Sequence, residues 1–120
     1  MNGSALAYLG DAVIELMVRE KIVLATNAAA GELNELARAC VTASAQSAAV
    51  ERILPILTEE ETAVYKKGRN LNGTSIPKNA SAGEYRRATG LEVLFAALYL
   101  ENKKERLDEL FETAFRIRSE

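Results

Sequence analysis

Apolar residues along the chain recur every three or four positions, which is the spacing of an amphipathic helix. Leu6, Leu9 and Val13 begin one such series, and Leu107 and Leu110 belong to another near the end of the chain. A strand pattern, in which apolar and polar residues alternate, occurs nowhere. The spacing predicts six helices, which cover about residues 4–24, 32–41, 43–54, 58–67, 81–101 and 107–115.

Signals at the helix ends support these boundaries. Thr58 with Glu61, and Ser81 with Glu84, have the spacing of a capping box at a helix start. Pro55 ends the third helix. Residues 68–79 are rich in Gly, Asn, Ser and Pro and predict a loop. Because no repeat or linker divides the chain, we expect one all-α domain, a single helical bundle over residues 1–120.

Composition excludes several kinds of chemistry. The chain has 120 residues, 48% of them hydrophobic, and no apolar run long enough for a membrane span, so we expect a cytoplasmic protein. It has no histidine, which excludes Ser-His and Cys-His nucleophiles. Cys40 is the only cysteine, so one chain forms no disulfide or Cys/His zinc site, and we expect this residue in the core. Two classes of protein remain: an enzyme whose carboxylates hold a hard metal such as Mg²⁺, or a binding protein that catalyses no reaction.

Positive charge is concentrated in one segment. Residues 66–87 carry net +5, so the rest of the chain carries −7 to give the total of −2. The segment is either a solvated loop or a contact to a nucleic-acid backbone. With only Tyr65 and Tyr85 interspersed, base stacking is disfavoured and a duplex backbone fits better. Gly68 and Gly73 have P-loop spacing, but Thr74 stands where the lysine is needed, so we expect no nucleotide cofactor.

Two acidic residues interrupt apolar helices. Asp11 follows Gly10 in the first helix, and Glu92 lies two residues after Gly90 in the fifth. A carboxylate buried without a partner costs several kcal/mol, so each requires a metal ion, a cation or access to water. One hypothesis is that the helices cross with the two carboxylates facing each other. The other hypothesis is that each acid points outward or pairs with an arginine. A third acid, Glu15, lies one turn after Asp11 on the same face of the helix.

Three motifs together resemble a known family. The segment from Tyr8 to Glu15, Tyr-Leu-Gly-Asp-Ala-Val-Ile-Glu, resembles the signature helix of the ribonuclease III catalytic domain. The segment that begins at Glu92 resembles that domain's second acidic helix. The basic segments 66–70 and 77–79, with Tyr85 and the arginine after it, are similar to Mini-ribonuclease III, the short bacterial form without a double-stranded-RNA-binding domain. The resemblance covers essentially the whole chain.

The resemblance implies a fold, a reaction and a set of site residues. It implies a ribonuclease III endonuclease-like helical bundle that acts as a homodimer and cuts double-stranded RNA with Mg²⁺, or with Mn²⁺ as an alternative. Asp11 and Glu92 would be the catalytic metal ligands, and Thr89 would be an outer-shell residue. Glu15 would be an outer-shell or a dimer-contact residue. The RNA contacts would be Lys66, Lys67, Arg69, Asn70, Lys78, Asn79, Tyr85, Arg86 and Arg87. The substrate would be precursor 23S ribosomal RNA.

The chain departs from full-length ribonuclease III at two acidic positions. Ala7 stands where that enzyme has a glutamate four residues before the signature aspartate, and Thr89 stands where it has an aspartate. Both substitutions resemble the Mini form, and they leave fewer anionic ligands, so we expect weak metal binding without RNA. The alternative is a non-catalytic module for duplex-RNA binding or ribosome assembly on the same scaffold.

Overall fold

A computed structural model describes residues 2–71 and 81–116 and shows an all-helical domain. The six predicted helices are confirmed, with ends within a few residues of those expected. They are α1 (Gly3–Ala25), α2 (Ala30–Cys40), α3 (Ala43–Ile53), α4 (Glu59–Arg69), α5 (Ala82–Leu100) and α6 (Lys104–Ala114). In the described part of the chain, no helix is both long and apolar enough to cross a membrane.

Side chains cap the helix starts as the sequence suggested, with one difference. At α4 the capping box is complete: the Thr58 hydroxyl accepts from the Glu61 amide, and the Glu61 carboxylate accepts from the Thr58 amide. At α5 the Ser81 hydroxyl accepts from the Glu84 amide at 3.1 Å, and the return bond from the Glu84 side chain is not among those formed by the described residues. Pro55 lies in a 3₁₀ turn that follows α3.

Helix α5 is the centre of the domain. Its residues are buried on most of its circumference, as is expected of a helix with neighbours on all sides. Leu91, Leu94 and Phe95 are fully buried and join the same core as Ile14 of α1 and Leu110 of α6. Cys40 is partly buried and packs against this core, in keeping with the expectation from the sequence.

Glycines set the spacing of α5 from α1 and α4. A Cβ atom on Gly10 of α1 would lie 1.8 Å from the Glu92 carbonyl oxygen, so the two backbones touch at this point. On the other side, a Cβ atom on Gly68 of α4 would lie 2.9 Å from the Gly90 Cα atom. This contact explains why α4 continues through Arg69, although the sequence predicted a loop from residue 68: Gly68 is buried against α5 within the helix.

Candidate active site

The two unusual acids meet where α1 crosses α5. Asp11 follows Gly10, and Glu92 is the residue whose backbone Gly10 touches, so the close approach of the helices brings the two side chains together. The Asp11 carboxyl lies within hydrogen-bonding range of the Glu92 carboxyl. Both line an open cleft, together with Ser4, Ala7, Tyr8, Leu71, Tyr85 and Thr89. The facing arrangement is therefore the one that the structure has.

The environment of the pair favours a proton or a cation. Burial, followed by the negative charge of Asp11 and the hydrogen bond with it, raises the pKa of Glu92 to about 8. Two carboxylates in contact repel each other when both are ionised. A positive ion between them removes that repulsion, so the pair would be stabilised by an ion that the described residues do not themselves supply.

The donor set fits a hard divalent cation. Carboxylate oxygens are the ligands preferred by Mg²⁺, which is usually bound by one or two carboxylates and keeps several waters. The exposed Asp11 carboxylate borders an open cleft, which leaves room for such waters. Residues 2–71 and 81–116 contain no group of three or more His, Cys, Asp or Glu side chains placed to hold a metal. Among the described residues, the carboxylates that line this cleft are those of Asp11 and Glu92, which makes two rather than three.

The positions of the two substituted acids lie in the same cleft. Ala7 lines it and contributes no donor atom, whereas Thr89 is only 6% exposed and contributes a hydroxyl. That hydroxyl donates to the Tyr85 carbonyl oxygen at 3.0 Å. Its lone pairs remain able to accept a hydrogen bond from a water, which agrees with an outer-shell position rather than a direct ligand.

Glu15, the other expected outer-shell residue, lies elsewhere. Its carboxylate accepts a hydrogen bond from Arg19 at 3.1 Å on the surface of α1, and it does not line the cleft. The hydrogen bond and the spacing of four residues are those of an ordinary helix-surface ion pair.

The basic end of α4 lies beside the cleft. Gly68 packs on Gly90, next to Thr89, and Leu71 directly after α4 forms part of the cleft wall. The expected RNA contacts on this helix end, Lys66, Lys67 and Asn70, are exposed, and Arg69 is partly exposed. Arg69 is held over the Tyr65 ring, with its guanidinium carbon 5.8 Å from the ring centroid, and its Nε donates to the Asn70 side chain at 3.2 Å.

The two arginines of α5 have different surroundings. Arg86 is exposed and forms no ion pair with residues 2–71 or 81–116. Arg87 is partly buried, and its Nε donates to the buried Ser47 hydroxyl at 2.6 Å, which joins α5 to α3. Lys78 and Asn79, the remaining expected contacts, lie outside the described residues.

Three residues that line the cleft were not predicted as site residues from the sequence. Tyr8 was used only as part of a motif, yet it is 85% exposed at the edge of the cleft. Leu71 lies against the first turn of α1, where a Cβ atom on Gly3 would come within 2.4 Å of its side chain. Ser4 lines the cleft from the same turn. For Leu71 the only signal in the sequence was that an apolar residue stands inside a polar segment. For Ser4 and Tyr8 the only signal was that they lie close to Asp11 along the chain.

Comparisons with known proteins place the chain in a family. Residues 4–103 match the model of the Ribonuclease III domain. Mini-ribonuclease 3 of Enterococcus faecalis is 42% identical over 92% of this chain and 85% of its own length. Mini-ribonuclease 3 of Symbiobacterium thermophilum is 41% identical over 91% of this chain and 84% of its own. The crystal structure of a Fusobacterium nucleatum protein superposes on this chain with a TM-score of 0.84, over 93% of this chain and 89% of the other. The two sequences are 32% identical.

The match of residues 4–103 and the Mini-ribonuclease 3 relatives indicate that this helical domain is a ribonuclease III-type endoribonuclease. The chain belongs to the ribonuclease III domain family, with Mini-ribonuclease 3 proteins among its relatives. The resemblance seen in the sequence motifs is thereby confirmed.

Proposed function

We propose that the chain cleaves double-stranded RNA, with Asp11 and Glu92 as the catalytic pair. The observation that carries the proposal is the contact between these two carboxyls in an open cleft beside the basic end of α4. A duplex bound through its phosphates to Lys66, Lys67 and Arg86 would have a backbone phosphodiester at the cleft. We further propose that the natural substrate is precursor 23S ribosomal RNA, as the family resemblance implies.

A divalent cation, Mg²⁺ with Mn²⁺ as an alternative, would be held by Asp11 and Glu92. Bound there, it would supply Lewis-acid polarisation of the phosphodiester and a lowered pKa for an attacking water. The chain's own residues have separate tasks. Glu92, which is partly buried, would hold the cation in its ionised form, with its proton released to solvent water, and the exposed Asp11 would complete the anionic pair. The Thr89 hydroxyl, which donates its hydrogen bond to the Tyr85 carbonyl oxygen, would accept a hydrogen bond from a water beside the pair.

The proposal includes a homodimer, which a feature of α1 supports. Tyr8, Ala12, Leu16 and Val23 are exposed and share one face of the helix, turned away from the core. The Glu15–Arg19 ion pair lies on the same face, so this exposed surface is partly apolar and partly charged. Exposed apolar residues grouped on one face mark interaction sites. Because Asp11 borders the face, a twofold axis near Ala12 would bring two active sites close together, which suits a substrate with two strands.

The test is cleavage of a long RNA duplex with and without Mg²⁺ by the wild-type protein, Asp11→Asn and Glu92→Gln. We expect Mg²⁺-dependent cleavage by the wild type and a loss of at least a hundredfold in each variant, with duplex binding retained. Glu15→Gln is the matched control, since Glu15 does not line the cleft, and it should cut at nearly the wild-type rate. If the wild type binds the duplex and never cuts it, the alternative of a non-catalytic RNA-binding module is correct.

A further inference from the structure

Three side chains on α5 form a row along the cleft. Tyr85, Thr89 and Glu92 all line it, and their spacing of four and three residues places them on one face of the helix. Seven residues separate the first from the last, which is about 10 Å along the helix axis. A phosphodiester held at Glu92 would therefore have its neighbouring nucleotides beside Thr89 and Tyr85.

The hydroxyl groups in this row are not equivalent. Thr89 already donates its proton to the Tyr85 carbonyl oxygen, so its hydroxyl is fixed within the helix. The Tyr85 hydroxyl makes no hydrogen bond to any residue that the structure describes, although its side chain is partly buried. A phenol at the wall of a cleft both donates and accepts a hydrogen bond. Tyr85 therefore presents an available polar group to whatever fills the cleft.

The cleft is lined by a second tyrosine, Tyr8, whose surroundings differ from those of Tyr85. Tyr8 is part of the apolar face of α1, so a second copy of the chain would compete for it. Tyr85 lies on α5, one turn before Thr89, and is not part of that face. In a dimer joined through the α1 face, Tyr85 would therefore remain in the cleft.

We propose that the Tyr85 hydroxyl contacts the ribose 2′-OH of a nucleotide next to the scissile phosphodiester and so helps the enzyme to choose RNA over DNA. The 2′-OH is the group that distinguishes RNA from DNA at a given contact, and it donates and accepts a hydrogen bond as a phenol does. This inference rests on the proposed function, because it requires an RNA duplex in the cleft.

The experiment is a cycle of one change in the protein and one in the RNA. A series of duplexes carries a single 2′-deoxynucleotide at each position within three nucleotides of the cleavage site. Their cleavage by wild type and Tyr85→Phe is compared at subsaturating substrate. We expect one position at which the wild type loses about three- to tenfold in kcat/KM, the range that one neutral hydrogen bond supplies. At that position Tyr85→Phe, which is already slower on all-RNA duplex, should lose nothing further.

Two matched variants separate this contact from its neighbours. Ser4→Ala removes the exposed hydroxyl on the other side of the cleft, and Tyr99→Phe removes an exposed phenol of α5 that does not line it. Both should keep the full deoxy penalty. The inference is overturned if the penalty persists in Tyr85→Phe at every position, or if it disappears in Ser4→Ala instead. A wild type that fails to cut the all-RNA duplex refutes the proposed function itself.

Discussion

Glu92 is a carboxyl whose surroundings favour the protonated form. Its carboxyl is packed at the α1–α5 crossing beside Asp11, and the resulting pKa of about 8 means that the metal-free protein holds a proton there at neutral pH. In the unfolded chain the same group ionises near its ordinary value of about 4.3. Folding therefore binds a proton between these two pH values, and the protein's stability depends on pH in that window.

We predict that the wild-type protein loses stability as pH rises from about 4.5 to 8, and that Glu92→Gln removes this loss. Below the window both states are protonated; within it the unfolded state releases its proton first, which favours unfolding. The difference should reach about 2–4 kcal/mol at pH 8, less than the full shift implies because the carboxyl borders an open cleft. Thermal melts from pH 5 to 9 measure it. Equal slopes for both proteins would contradict the assignment.

The same melts report on the cation. At pH 8, Mg²⁺ should raise the melting temperature of the wild type more than that of Glu92→Gln, since ligand binding stabilises the folded state only where the ligand binds. Asp11→Asn should also abolish the response. An identical increase in all three proteins would indicate that Mg²⁺ binds somewhere other than the carboxyl pair.

At the scale of the helices, the site depends on the contact between α1 and α5. Gly10→Ala would place a methyl group 1.8 Å from the Glu92 carbonyl, and a backbone atom cannot move aside as a side-chain end can. We predict a loss of about 2 kcal/mol or more in the free energy of unfolding, together with most of the activity. Gly31→Ala of α2 is the control: nothing lies within 4 Å of that position, so helix propensity should stabilise it by up to about 1 kcal/mol. Denaturant unfolding compares the two.

The arginine and lysine residues around the cleft differ in their surroundings. Arg87 is bonded to buried Ser47 of α3, whereas Lys67 is exposed at the end of α4. We predict that Arg87→Ala destabilises the fold by about 1–3 kcal/mol, because it leaves the Ser47 hydroxyl unpaired. Lys67→Ala should leave stability unchanged and reduce the salt dependence of duplex binding by about one unit of the log–log slope.

Chemical denaturation and binding titrations at several salt concentrations measure these two effects. A variant carrying both Arg87→Ala and Ser47→Ala should be more stable than the two single losses added together. If Arg87→Ala instead leaves stability intact and reduces the salt slope as Lys67→Ala does, Arg87 is an RNA contact, as the sequence suggested.

The helices and the acid pair could be read from the sequence because each has a local or periodic signal. The period of the apolar residues defines the helices, and an acid within an apolar helix requires a partner, which led to Asp11 and Glu92. The inward position of Arg87 had no such signal, since it depends on where α3 packs. The wall formed by Leu71 depends likewise on the path of the chain after α4 and on the missing side chain of Gly3.

For the molecule as a whole, the distribution of apolar surface matters as much as the distribution of charge. The chain after α4 reaches the cleft at Leu71, so the proposed phosphate contacts at the end of α4 and the carboxyl pair would adjoin the same cleft. The exposed face of α1 adjoins that cleft at Tyr8 and Asp11. Joining two copies through α1 would extend the basic surface and double its phosphate contacts without changing either cleft, and two linked sites bind far more tightly than one.

We predict that Leu16→Glu converts the protein from a dimer to a folded monomer at micromolar concentration. Leu16 is 65% exposed on the α1 face, so a carboxylate there costs the single domain little but would lose its contact with water between two copies. Leu54→Glu, which alters an exposed leucine after α3, is the matched control and should remain dimeric. Sedimentation equilibrium gives the mass and circular dichroism the fold. Duplex affinity should fall with dissociation, since each monomer keeps only half of the phosphate contacts; a wild type that sediments as a monomer refutes the dimer.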